Sequence, residues 1–138
     1  MKKETITITK YHLLIIFLII CLIFSTILSL IPISELCIPG NGCDVVHNSK
    51  YSELLGRKNS DYGIIAFSIM IILSFLQINK PKKQTKQFIY LGIIIGSIIS
   101  VYFLYLQQFV IKAYCKYCLV VDISMLICLA ILIFNWKK

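Results

Sequence analysis

A chain of 138 residues that is 59% hydrophobic and only 14% charged is too apolar for a soluble domain, where apolar content near one half is usual. Its formal net charge of +8 does not point to nucleic acid, because the basic residues flank apolar runs and form no patch with interleaved aromatics. An integral membrane protein of one domain remains.

Residues 1–10 form a short polar, basic leader. With the apolar run that follows they resemble a signal peptide, but that run is too long and lacks a small-residue cleavage site. Ser34-Glu35-Leu36-Cys37 does not make a lipoprotein box, so the first span is expected to stay, with Pro32 at its end. No Asp, Glu, Lys or Arg falls between Lys10 and Glu35, between Asp61 and Lys80, or between Lys86 and Lys112. Each window suffices for the roughly 17–25 residues that cross a bilayer. The expected architecture is an all-α bundle of four transmembrane helices, over about 11–33, 62–79, 88–111 and 116–136, the last broken after Lys116 only by Asp122.

Charge sets the sidedness. Lys2, Lys3 and Lys10, then Lys80, Lys82, Lys83 and Lys86, then Lys137 and Lys138 mark both termini and the middle link as cytoplasmic. The near-neutral loop 34–61 and the short turn at Lys112-Ala113-Tyr114 then lie outside. In the loop, Pro39, Gly40, Asn41 and Gly42 are turn residues that let the chain double back between Cys37 and Cys43. Residues 44–55 read as a short surface helix capping the bundle, with Asp44 at its start, Tyr51, Leu54 and Leu55 on one face, and Gly56 as C-cap. In the third span, Gly92, Gly96, Ser97 and Ser100 form a small-residue packing face.

Of the six cysteines, Cys21 and Cys128 lie deep in spans and read as packing residues. Cys37, Cys43, Cys115 and Cys118 fall on the outer side, where disulfides persist. Cys115-Lys-Tyr-Cys118 opens the last helix. Two intervening residues put its sulfurs within bonding distance, and a helix N-terminus favours a thiolate. A second pair in the loop suits a relay of thiol–disulfide exchanges that ends on a lipid-soluble two-electron acceptor, for which a quinone is the natural candidate. Two rivals stay open: a metal-binding or transport protein using the outer cysteines with His47, and a membrane protein with purely structural disulfides. Asp122, one turn deeper than Cys118, either hydrogen-bonds or protonates the acceptor, or pairs with Lys116, Ser25 or Ser29. His47 can act as a base, but a solvated surface histidine is the expectation.

The combination of Cys37-x5-Cys43, Ser49 six residues further on, and Cys115-x-x-Cys118 resembles the bacterial branch of the vitamin K epoxide reductase family, over nearly the whole chain. The order, loop pair first, differs from the DsbB type of disulfide generator. The resemblance implies a quinone-linked dithiol oxidase of the bacterial cell membrane that makes disulfides de novo. Electrons would pass from an extracytoplasmic thioredoxin-like (DsbA-like) partner through Cys37 and Cys43 to Cys115 and Cys118, and on to menaquinone or ubiquinone. By position, Cys37 faces the partner, Cys43 exchanges with Cys115, Ser49 supports the loop and Cys118 contacts the quinone. Asn59 matches a quinone-contacting asparagine of the vertebrate branch, and Asp122 replaces that branch's quinone-side tyrosine. Ser60-Asp61-Tyr62 stands where many bacterial members have Gly-Ile-Pro. With no fused thioredoxin-like domain in the sequence, the partner is expected to be a separate protein.

Overall fold

A computed structural model describes residues 2–136; Lys137 and Lys138, read above as cytoplasmic charges, lie outside the described residues. The chain folds as four long helices. These are α1 (Lys2–Leu30), α4 (Asn59–Asn79), α5 (Lys83–Tyr105) and α6 (Lys116–Trp136), with two small helices, α2 (Ile33–Leu36) and α3 (Gly42–His47), in the loop after α1. α5 continues as a π-helical turn, Leu106–Ile111. Residues 8–30 of α1, all of α4, α5 with its π turn, and 116–134 of α6 are long and apolar enough to cross a membrane. Large side chains such as Ile65, Ile98 and Phe134 stand exposed along them, a distribution that suits lipid and would be costly in water.

Helix α1 packs against α4 and α6, and α5 packs against the same two helices. The core between them is built from Leu14, Leu18 and Cys21 of α1, Met70 of α4, Ile89 and Ile93 of α5, and Cys128 and Leu132 of α6. Cys21 and Cys128 are fully buried free thiols in this cluster. Small residues of α5 face α6. A Cβ on Gly96 would meet the flexible end of the Met125 side chain of α6, and the Ser97 hydroxyl donates to the Met125 carbonyl oxygen. At the end away from the loop, the buried Lys10 ammonium donates to the Tyr90 hydroxyl at 2.6 Å.

Helix boundaries depart from expectation where local geometry outweighs hydropathy. Residues 2–10 are helical and continuous with the first span, because nothing between Lys10 and Tyr11 breaks the backbone. α4 starts at Asn59, three residues before the apolar run, and the Ser29 hydroxyl of α1 donates to its Asp61 carboxylate. Residues 44–55 are not one helix. α3 ends at His47, and the chain then forms a small antiparallel hairpin that pairs Glu53 with Lys58 and Leu54 with Arg57. Leu55 (φ 55°) and Gly56 (φ 80°) make its turn, so Gly56 is a hairpin residue and not a helix cap. Tyr51, Leu54 and Leu55 share no helix face, and Leu55 is 90% exposed.

Replacing Gly96 by Leu should force α5 and α6 apart and cost about 1–3 kcal/mol, the usual range for overpacking. Thermal unfolding in detergent would check this, with Gly56→Asn at the open hairpin turn expected to unfold near the unaltered protein.

Candidate active site

The loop between α1 and α4 begins with a tight ring. Pro39 and Gly40 (φ 81°) turn the chain, and the Asn41 N–H returns to the Ile38 carbonyl at 3.0 Å, a turn whose third residue needs the left-handed backbone that glycine tolerates. Asn41 caps α3, its side chain accepting from the Gly42 N–H at 2.8 Å. Asp44 then ties helix to ring, accepting from the Gly40 N–H at 3.0 Å and from the Asn48 side chain at 2.7 Å. The ring is closed by a Cys37–Cys43 disulfide with Cα atoms 5.6 Å apart. Cys115 and Cys118 are free thiols.

On the other side, Lys112 (φ 56°) ends the π-helical turn in the left-handed conformation and redirects the chain over three residues into α6. Gln107, buried in that π turn, accepts from the Cys115 N–H at 3.0 Å. The Cys115 carbonyl opens α6 by accepting from the Leu119 N–H at 3.0 Å. The two segments meet at Gly42, where a Cβ would collide with the Tyr114 backbone carbonyl. That contact brings α3 onto the start of α6.

The result is a sulfur cluster around one imidazole. Cys115 Sγ lies 3.6 Å from Cys43 Sγ and 3.5 Å from His47 Nε2. Cys118 Sγ lies 3.7 Å from the same His47 Nε2. Histidine at i+4 from Cys43 shares its helix face, so His47 is not the solvated surface residue expected above. The Cys118 thiol hydrogen-bonds Cys115 and is the main cause that holds the Cys115 thiol well below its ordinary value; the contact with His47 acts the same way, and burial opposes both. Cys37 is 5% exposed, so in this conformation the loop must shift before Cys37 can meet another protein. The donor atoms of Cys43, His47 and Cys115 all lie within 4.8 Å of one another. Cys43 is nonetheless bonded to Cys37 and has no thiolate for a metal.

Beneath the cluster lies a cavity of about 420 Å³, within the range of small-molecule sites. Cys118, His47, Asn59, Ser100, Gln107 and Asp122 are among its lining residues. Asp122 is 5% exposed, and its Oδ2 is buried without a hydrogen-bond partner; Ser100 lines the cavity with it. Lys116 is exposed and Ser29 is taken by Asp61, so Asp122 has neither of those expected partners. Asn59 lines the cavity while its side-chain amide donates to the Tyr51 carbonyl at 2.8 Å. The Ser49 hydroxyl donates to the Val46 carbonyl at 2.7 Å, and its own carbonyl accepts from Ser52 at 2.8 Å, so it fastens the loop behind α3. Sequence reasoning misses Gln107 and assigns Ser100 only to a packing face. Gln107 carried a signal, as part of a Gln-Gln pair inside an apolar span; Ser100 read only as a small residue.

Alkylation of Cys115 should persist at mildly acidic pH, below the roughly 8.5 of an ordinary thiol, because a lowered value keeps the thiolate until pH falls through it. Cys118→Ala removes the donor and should move the alkylation–pH curve upward, as read by mass spectrometry of the labelled peptide. Gly42→Ala should push α3 off Tyr114 and lower, several-fold, the yield of a trapped Cys43–Cys115 disulfide in a Cys37→Ala, Cys118→Ala background.

The chain matches the family described as Vitamin K epoxide reductase family over residues 7–133. No curated protein matches it.

Proposed function

The chain belongs to the vitamin K epoxide reductase family, and we propose that within it this protein is a quinone-dependent dithiol oxidase that generates disulfides. It is a multi-pass membrane protein and a thiol oxidoreductase of a family that is quinone-linked and generally works with thioredoxin-like partners. The observation that carries the finer reading is the 3.6 Å contact between Cys43 and Cys115 directly above a cavity lined by Cys118 and Asp122.

A reduced thioredoxin-like protein outside the cytoplasm gives its two electrons to the Cys37–Cys43 bridge, leaving a disulfide in the partner and two loop thiols. Cys43 then attacks Cys115 of an oxidised Cys115–Cys118 pair, Cys118 leaves, and Cys37 resolves the mixed disulfide. The loop is oxidised again and the bundle pair is reduced, which is the redox state of this structure. Oxidation of Cys115 and Cys118 back to their disulfide releases two electrons and two protons, and a quinone in the cavity accepts them. The unpartnered Asp122 Oδ2 and the Asn59 amide would hold its carbonyl oxygens, the carboxyl acting as a hydrogen-bond donor when protonated. Menaquinone and ubiquinone both present such oxygens. The loop end faces outward, both termini lie in the cytoplasm, and the membrane is the bacterial cell membrane; the lysines of the link between α4 and α5 support this orientation.

Cys118→Ala should abolish quinone reduction by a reduced thioredoxin-like protein in membranes, followed by quinone absorbance, while Cys128→Ala should retain it. Equal rates in the two variants would sink the assignment. Asp122→Asn, which keeps the shape but removes the acid, should lower the rate of quinone reduction by about 10²-fold, the lower end of general-acid effects.

A further inference from the structure

The relay needs a proton carrier between the two cysteine pairs. Each exchange begins on a loop thiol that must lose its proton and ends on a bundle thiolate that must be stabilised or protonated. Helix α3 supplies one titratable side chain at this point. His47 sits one turn after Cys43 and places Nε2 3.5 Å from Cys115 Sγ and 3.7 Å from Cys118 Sγ, with Cys43 Sγ inside the same 4.8 Å cluster. The other charged groups nearby are tied to the loop backbone, exposed, or set beside the cavity. Asp44 is tied to Gly40 and Asn48, Lys112 and Lys116 are exposed, and Asp122 lies one turn further along α6.

We propose that His47 is a catalytic residue of the internal exchange, carrying the loop thiol protons to the bundle sulfurs. Starting from loop thiols and a Cys115–Cys118 disulfide, His47 takes the Cys43 proton and Cys43 attacks Cys115 Sγ. The S–S bond breaks, and Cys118 leaves with the electron pair and receives that proton from His47. Cys37 then attacks Cys43, breaking the Cys43–Cys115 bond. Cys115 leaves as a thiolate, while the Cys37 proton is held on the His47 imidazole beside it. Two loop thiols are oxidised, two bundle sulfurs are reduced, and no net proton or electron enters or leaves.

This proposal rests on the relay of the preceding section, and one experiment separates the two. Protein with all four of these cysteines reduced is mixed anaerobically with excess short-chain benzoquinone. The first equivalent of quinone is consumed by the Cys115–Cys118 dithiol, and the second only after internal exchange. In His47→Ala the ratio of second-phase to first-phase rate should fall by about 10²-fold or more, and added imidazole should restore it. An unchanged ratio overturns the role of His47. A lowered ratio that imidazole does not restore also overturns it, in favour of mere packing. If the unaltered protein consumes no quinone, the relay itself fails and the proposal falls with it.

Discussion

The structure depends on one close backbone contact, Gly42 of the loop against the carbonyl of Tyr114. Everything chemical follows from it. Any side chain at 42 would hold α3 away from the start of α6, and an exchange that requires sulfurs near van der Waals contact would lose its geometry. Both partners in the contact are fixed from behind. Asn41 and Asp44 hold the disulfide ring on α3, while Gln107 and the left-handed Lys112 hold Cys115 at the head of α6. The loop therefore docks as a preformed unit.

The bundle beneath answers a different constraint. Its outer faces are apolar and suit lipid, so polar groups inside it carry a cost unless they are partnered or face a cavity. Several are partnered: Ser29 with Asp61, Ser74 with the Met70 carbonyl, Ser97 with the Met125 carbonyl. Asp122 Oδ2 is a buried oxygen without a partner beside the cavity. Such an atom is expensive unless a ligand supplies the missing hydrogen bond. Cavity, carboxylate and Cys118 together make the case for a small molecule with a carbonyl oxygen near that sulfur.

The loop between α3 and α4 shows why a helical pattern can mislead. Tyr51, Leu54 and Leu55 have i, i+3, i+4 spacing, which fits a surface helix. Ser49 and Ser52 instead turn their hydroxyls onto backbone carbonyls, an alternative to helix continuation that serine readily takes. The Leu55-Gly56 turn then closes a hairpin, leaving Leu54 and Leu55 exposed.

Charge-free windows determined the four spans and the all-α class from sequence alone, because crossing a bilayer leaves few alternatives to a continuous apolar helix. Spacing likewise marked Cys37 with Cys43 and Cys115 with Cys118 as pairs, and the order of the pairs carried the family resemblance. Two things were beyond its reach. Helix ends were decided by capping and by the Ser29–Asp61 contact, which hydropathy does not register. The position of His47 was decided by how far α3 leans over α6, a distance set by Gly42 and Tyr114, 72 residues apart. Local patterns fix which residues share a helix face; only the packing of remote segments brings an imidazole between two sulfurs on another helix.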